Sequence, residues 1–434
     1  MTISSSMNAG VAGLNANAAR LATISDNIAN SATYGYRRAE TDFTALVMQG
    51  SDSSRYSAGG VRASTSRAID ESGPLISTSN ATDLAVDGRG MIPVTTSAAA
   101  TSGSGNYPLR LMTTASFEAD EQGILTTGSG LVLLGWPANA DGTVDSYSRV
   151  SASGLQPVRI NWNQFVANPT TEAAVKVNLP ATSTTAGATG TDESLALEYF
   201  DTLGMSQTLD ISFEPTVPAS GSSNEWTMTI RDSASSDAIV GRYTLTFSDA
   251  AGSGGTLASV TTLSGGAYDP TTGKASVAVA GGSIALDIGK YGAVDGMTQL
   301  SDTFAPVTLT RNGSAVASVT SVEIDEKGYV NAIYDQGFTR RIYQIPLVDV
   351  ANVNGLRAGS DQTYEVTPDS GAIFLWDAGD GPTGTIQGYS REESTTDVAN
   401  ELTQLIRTQR AYSSNAKVIQ TADEMLQEAS SLKR

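Results

Sequence analysis

Both ends of this 434-residue chain carry an apolar repeat of seven residues, and this constrains the fold more than any other feature. Over residues 4–31, Met7, Leu14, Leu21 and Ile28 recur at heptad spacing. Val11 and Ala18 fill the neighbouring stripe and Ile24 widens it, the pattern of an amphipathic helix. The remainder is mostly Ala, Asn, Ser and Thr, so the stripe is thin, and a helix of this kind is marginal alone in water. Over 397–432 the pattern predicts a longer helix. Thr395, Thr396 and Asp397 supply N-cap chemistry. Val398, Leu405, Tyr412, Ile419 and Leu426 form an unbroken heptad line, with Leu402 and Ala416 beside it and Ile406, Val418, Met425 and Leu432 broadening it. At 1.5 Å per residue this helix is roughly 50 Å long. Two readings follow: ordinary core helices of one globular domain, or helices that pair with each other and with neighbouring copies as a coiled-coil layer. The thin N-terminal stripe favours the second, with Leu14, Leu21 and Ile28 facing Leu405, Tyr412, Ile419 and Leu426.

Between the ends the pattern changes to β. Residues 32–75 show few regular signals beyond Tyr34-Gly35-Tyr36, a short helical stretch near Phe43–Met48 and the polar run Ser51–Ser54. They read, with 373–393, as a linker-like connecting region. A hairpin is predicted around Asp120–Gly123, followed by a buried strand over Leu131–Pro137. Asp325-Glu326-Lys327-Gly328 repeats the acidic turn, and a strand follows over Ile342–Val348. The two similar hairpins suggest one inner β domain, 76–147 with 301–372, built from both halves of the chain. Arg311-Asn312-Gly313-Ser314 is a two-residue hairpin signal in the same region. Residues 148–300 are rich in Ser, Thr, Gly and Ala, with alternating strands at Leu195–Phe200, Gln207–Phe213, Trp226–Ile230 and Arg242–Phe247. They read as an inserted outer β domain, since insertions are tolerated at exposed loops. The expected fold is α+β and multidomain: a terminal helical domain, 1–31 with 394–434, and two nested, mainly β domains. In a polymer this places the helices inside and the insertion outside.

Composition narrows the function. The chain has no Cys and no His, which removes thiol chemistry, thiolate metal sites and the commonest general base and metal ligand. No catalytic, metal or cofactor site is expected. Of the formal charge of −19, residues 1–50 contribute nothing, with three Arg against three acids, and residues 391–434 contribute −1, with six basic residues against seven acids; the middle holds the remaining −18. An acidic middle argues against nucleic acid or anionic membrane as partners. The stretch Met1–Met7 lacks the basic and apolar regions of a secretory signal, so the chain is expected to be cytoplasmic or exported without a cleaved signal. The acid pairs Glu392-Glu393 and Asp423-Glu424 read as solvated surface. Asp377-Ala378-Gly379-Asp380-Gly381 reads as a turn, lacking the spacing and closing Glu of a calcium loop.

Three segments carry a resemblance. Asp26–Arg37, with Asn27, Ala29, Asn30, Thr33, Gly35 and Tyr36, closely resembles the N-terminal signature of flagellar hook and rod proteins, and Ser31–Gly35 is similar to the hook branch in particular. Gln409–Thr421, with Gln409, Arg410, Asn415 and Lys417, is similar to the C-terminal motif of the same family. Asn80–Gly90 resembles its shared segment leading into the β domain, although Met91-Ile92 stand where the family usually has an aromatic pair. The resemblance covers roughly 1–147 and 301–434. It implies a subunit exported unfolded by the flagellar type III apparatus, polymerising beneath a cap protein into a curved extracellular tube. Its implied partners are other copies of itself, the distal rod, the hook cap and the hook–filament junction protein. The tube would serve as a universal joint passing torque from rod to filament. A distal rod subunit is the near alternative. A secreted β-rich adhesin or carboxylate-based hydrolase is the distant one.

Overall fold

The computed structural model describes residues 3–46, 59–102, 107–162 and 164–431, and resolves two compact units. The first comprises 1–161, 321–333 and 339–434; the second comprises 162–320 and 334–338. Met48, Ser51–Ser54 and Leu432 fall outside the described residues.

In the first unit, helices span Ile3–Ala29 and Val398–Ser431. The C-terminal helix starts where Asp397 Oδ1 accepts the N–H groups of Ala399 and Asn400 at 2.9 and 3.2 Å, a side-chain cap for donors that have no partner within the helix. The expected helical stretch near Phe43 is instead a strand: Ala39–Ala45 pairs antiparallel with Val61–Arg67, from Ala39↔Arg67 to Ala45↔Val61. β-Branched Thr41, Thr44, Val61 and Thr65 favour the extended chain. This hairpin lies along the N-terminal helix, where a Cβ on Gly60 would come within 3.1 Å of Ala12 Cβ. The described residues of the region read as linker-like are therefore built structure, and Leu75–Ser77 pairs with Ser390–Glu392 to tie its two halves together.

The β part of this unit interleaves both halves of the chain. One sheet places Val319–Ile324, Tyr329–Tyr334 and Thr339–Gln344 beside Leu131–Pro137, Ile92–Thr96 and Arg110–Met112; the crossover register is Trp136↔Gln344. Leu131–Trp136 is buried throughout, as its unbroken apolar run predicts. The two acidic turns share one geometry. Asp120 Oδ1 accepts from Gln122 and Ile124 N–H, and Asp325 Oδ1 from Lys327 and Tyr329 N–H, at 2.8–3.0 Å. Gly123 and Gly328 then adopt φ of 79° and 78°, a conformation that favours glycine. The core gathers Trp136, Leu111, Leu134, Val348, Tyr364 and Leu375.

The second unit is a sandwich. Glu193–Phe200, Ser206–Pro215, Glu225–Asp232, Ala238–Phe247 and Leu257–Ser264 form an antiparallel meander. A mixed sheet centred on Glu172–Leu179 contributes to the same core. Alternate residues point inward, such as Leu209, Ile211 and Phe213, the period-2 signature of a half-buried strand. The Asn312-Gly313 hairpin expected from sequence does not form. Ala305–Arg311 pairs with Glu172–Leu179, and Ser314–Ala317 pairs with Val166–Asn168. Asn312 Oδ1 instead accepts the N–H groups of Thr171 and Glu172 at 2.9 and 3.0 Å. This long-range pairing moves 301–320 from the expected inner domain into the inserted unit.

Candidate assembly interface

The terminal helices run antiparallel. A Cβ on Gly10 would lie 3.0 Å from Ile419 Cγ1, and one on Gly13 2.8 Å from Asn415 Nδ2; nearer the other end, Arg20 Nη2 donates to Gln404 Oε1 at 3.3 Å and Asn27 Nδ2 to Glu401 Oε1 at 3.0 Å. Small residues permit this close approach, and Asn17 Nδ2 closes back onto Gly13 O at 2.7 Å. The hairpin covers a second face of the N-terminal helix, with Thr23 Oγ1 3.0 Å from Thr41 Oγ1 and Arg20 over the Phe43 ring.

The seam is therefore not the expected apolar stripe. Gly10, Gly13, Asn17, Ile24 and Asn27 are buried on the N-terminal helix, and Glu401, Thr408 and Ala422 on the C-terminal one. Met7, Leu14, Leu21 and Ile28 are half-buried and Val11 is 45% exposed. Leu405 and Ile419 are half-buried, while Val398, Tyr412 and Leu426 are exposed together with Leu402, Ile406, Val418 and Met425. Glu401, Leu405, Thr408, Tyr412, Asn415, Ile419, Ala422 and Leu426 alternate in steps of four and three, so the heptad is real. Its inner line is polar and small.

The N-terminal motif builds the corner where the chain leaves the helix. Asn27, 1% exposed, exchanges two hydrogen bonds with the backbone of Ala39 (2.9 and 2.8 Å) and donates to Glu401. The Tyr36 hydroxyl donates to Asp26 Oδ2 at 2.9 Å, with Asn27 Oδ1 3.1 Å away. Burial and that bond to Asp26 push its pKa up to about 12, so it remains a donor at neutral pH. Asn30 Nδ2 donates to Asp26 Oδ1 and Thr33 Oγ1 to Asn30 Oδ1, while Ala29 is exposed at the helix end. Gly35 turns with φ of 69°, and a Cβ there would sit 2.8 Å from Thr114 Cγ2. In the C-terminal motif, Asn415 packs on Gly13, whereas Gln409, Arg410 and Lys417 are exposed.

One member of the corner escaped the sequence reading. Glu392, expected at the surface, is 1% exposed and holds Arg37, itself 4% exposed, through Nη1–Oε1 at 2.6 Å and Nη2–Oε2 at 3.1 Å. Gly73 N–H also donates to it at 2.7 Å. Its neighbour Glu393 is exposed, as are Asp423 and Glu424. No local signal marks Glu392, since its partner Arg37 lies 355 residues away in the chain. Asp377, in the turn compared with a calcium loop, is held by both terminal nitrogens of Arg149 at 2.6 and 2.8 Å. Met91 and Ile92 are both buried, so the departure from the aromatic pair keeps an apolar core position. No helix among the described residues is long and apolar enough to cross a membrane.

The family models place the paired-helix end and the inserted unit among axial proteins of the bacterial flagellum. Residues 7–37 match the flagella basal body rod protein, 386–432 the flagellar basal body rod FlgEFG protein C-terminal, and 161–314 the flagellar basal body protein FlaE D2 domain. The chain is 33% identical to the flagellar hook protein FlgE of Brucella suis over the full length of both, and 33% identical to that of Rhizobium meliloti over the full length of both. Its identity to the Escherichia coli flagellar hook protein FlgE is 29%, over 96% of this chain and 97% of that one. The chain belongs to the flagellar hook protein family.

Proposed function

We propose that this chain polymerises into a curved, flexible tube that joins the flagellar rod to the filament and transmits torque between them. It acts as a structural subunit, with no catalytic step. The observation that carries the reading is that Val398, Leu402, Ile406, Tyr412, Val418, Met425 and Leu426, spread around the C-terminal helix, stay exposed in the single chain. Burying such side chains contributes about 1.5–3 kcal/mol each, a gain that one chain leaves unrealised and that stacked neighbours complete. In this reading Met7, Val11, Leu14, Leu21 and Ile28 border the same inter-copy layer, the helices lie inward and the inserted unit outward. Export is by the type III apparatus without a cleaved signal, to the extracellular hook. The distal rod, hook cap and hook–filament junction proteins are its neighbours at the ends. Electron microscopy of the purified chain at rising concentration tests this: curved tubes are expected, and straight rods or a persistent monomer would refute it.

A further inference from the structure

The corner between the N-terminal helix, the strand Ala39–Ala45 and the C-terminal helix encloses a polar cavity of about 180 Å³, lined by Arg20, Arg38, Glu40, Asp42, Glu401 and Gln404 among others. Most of these groups are engaged locally. Arg38 pairs with Glu40, and Arg20 donates to Gln404 while lying over Phe43. Glu401 differs. It is 2% exposed, its side chain accepts a hydrogen bond from Asn27, and among the described residues it forms no ion pair. The cavity's guanidiniums, Arg20 and Arg38, are set against three carboxylates, Glu40, Asp42 and Glu401, so one buried negative charge is left for a cation from outside to match.

A free cation sits on the other side of the same helix. Arg410 follows Glu401 by nine residues, which at about 100° per residue places it half a turn away around the axis. Arg410 is exposed and, among the described residues, forms no ion pair. The two groups cannot meet within one chain. Between copies a contact of the two groups would run head to tail, each helix passing its cation to the next and receiving one from the copy before. Such a heterologous contact closes into a ring or continues as a helix, and does not stop at a dimer.

We infer that the Glu401 cavity is the receptor for Arg410 of a neighbouring copy. The planar guanidinium fork pairs with a carboxylate through two hydrogen bonds and is desolvated more readily than an ammonium, which sets Arg410 apart from Lys417 on nearly the same face. The inference rests on the assembly reading above.

The test is the critical concentration for polymerisation of the full chain, measured by sedimentation, for wild type, Glu401→Gln, Arg410→Gln, the double variant and Lys417→Gln combined with Glu401→Gln. Glu401→Gln keeps an acceptor for Asn27 and removes only the charge. Each of the first two substitutions is expected to raise the critical concentration about thirtyfold or more. The double variant should be no worse than either single one, and the effects of Lys417→Gln and Glu401→Gln should multiply. Assembly of Glu401→Gln at the wild-type concentration, or multiplied effects in the Glu401–Arg410 double, would overturn the inference. If Glu401→Gln does not fold, salt decides: added salt should raise the critical concentration of wild type more than that of Arg410→Gln, and equal responses count against the pair. A wild type that never polymerises overturns the assembly reading itself. A wild type that polymerises without this coupling overturns the receptor alone.

Discussion

Arg37 and Glu392 show what a few well-placed atoms do in this chain. An arginine and a carboxylate withdrawn this far from water are tolerable because each meets the other in a two-point contact and the backbone supplies further partners. Removing one partner strands the other. Glu392→Gln is expected to destabilise the first unit by about 3–5 kcal/mol, read as a lowered urea midpoint for that unit with the inserted unit unchanged. Gly13→Val places a Cβ against Asn415 and is expected to cost about 1–3 kcal/mol of helix pairing through overpacking, visible as faster amide exchange in both helices. In the inserted unit, burial works against the Asp232 carboxylate. Donation from the Tyr199 hydroxyl, the Ser235 hydroxyl and the N–H groups of Ala234 and Ala280 outweighs it and holds the group below the usual carboxylate range. A depressed pKa contributes stability that is complete above the unfolded value of about 4 and is lost as pH falls through the folded value. Asp232→Asn should therefore weaken this unit at pH 7 by about 1–3 kcal/mol and flatten its stability profile below pH 4, as acid titrations of the two proteins would reveal.

At the scale of elements, the N-terminal helix is held by two neighbours of its own chain, and apart from buried Ile24 and Ala16 it offers them mainly small and polar groups. Gly10 and Gly13 meet the C-terminal helix and Ala12 meets Gly60. Little apolar area offsets about 1–2 kcal/mol of backbone entropy per ordered residue. In a dilute monomer, amides of both helices are expected to exchange faster than those of either sandwich or sheet core, and equal protection throughout would contradict this. The helices were legible in the sequence because 3.6-residue periodicity is local. The seam was legible only in part: Ile419 of the expected line packs on Gly10, while Gly13, Asn415, Asn27 and Glu401 supply the rest, small and polar groups that an apolar repeat does not mark.

For the whole molecule, the first unit draws its core from residues outside the insertion, and the inserted unit has a core of its own. Excising 162–318 should leave the first unit folded with its helices paired, and tubes formed by the shortened chain should differ in curvature; unchanged curvature in electron micrographs would show that the inserted unit has no part in bending. The chain order itself carried the nesting, two helical ends around strands around further strands, because apolar spacing, glycine turns and the terminal motifs are all local signals. Tertiary structure alone decided that Ala305–Arg311 joins Glu172–Leu179, that Glu392 is interior and that the helices meet through glycine, asparagine and glutamate. Each depends on which distant segment arrives to satisfy a backbone edge, a charge or a gap, and no periodicity along the chain records that partner.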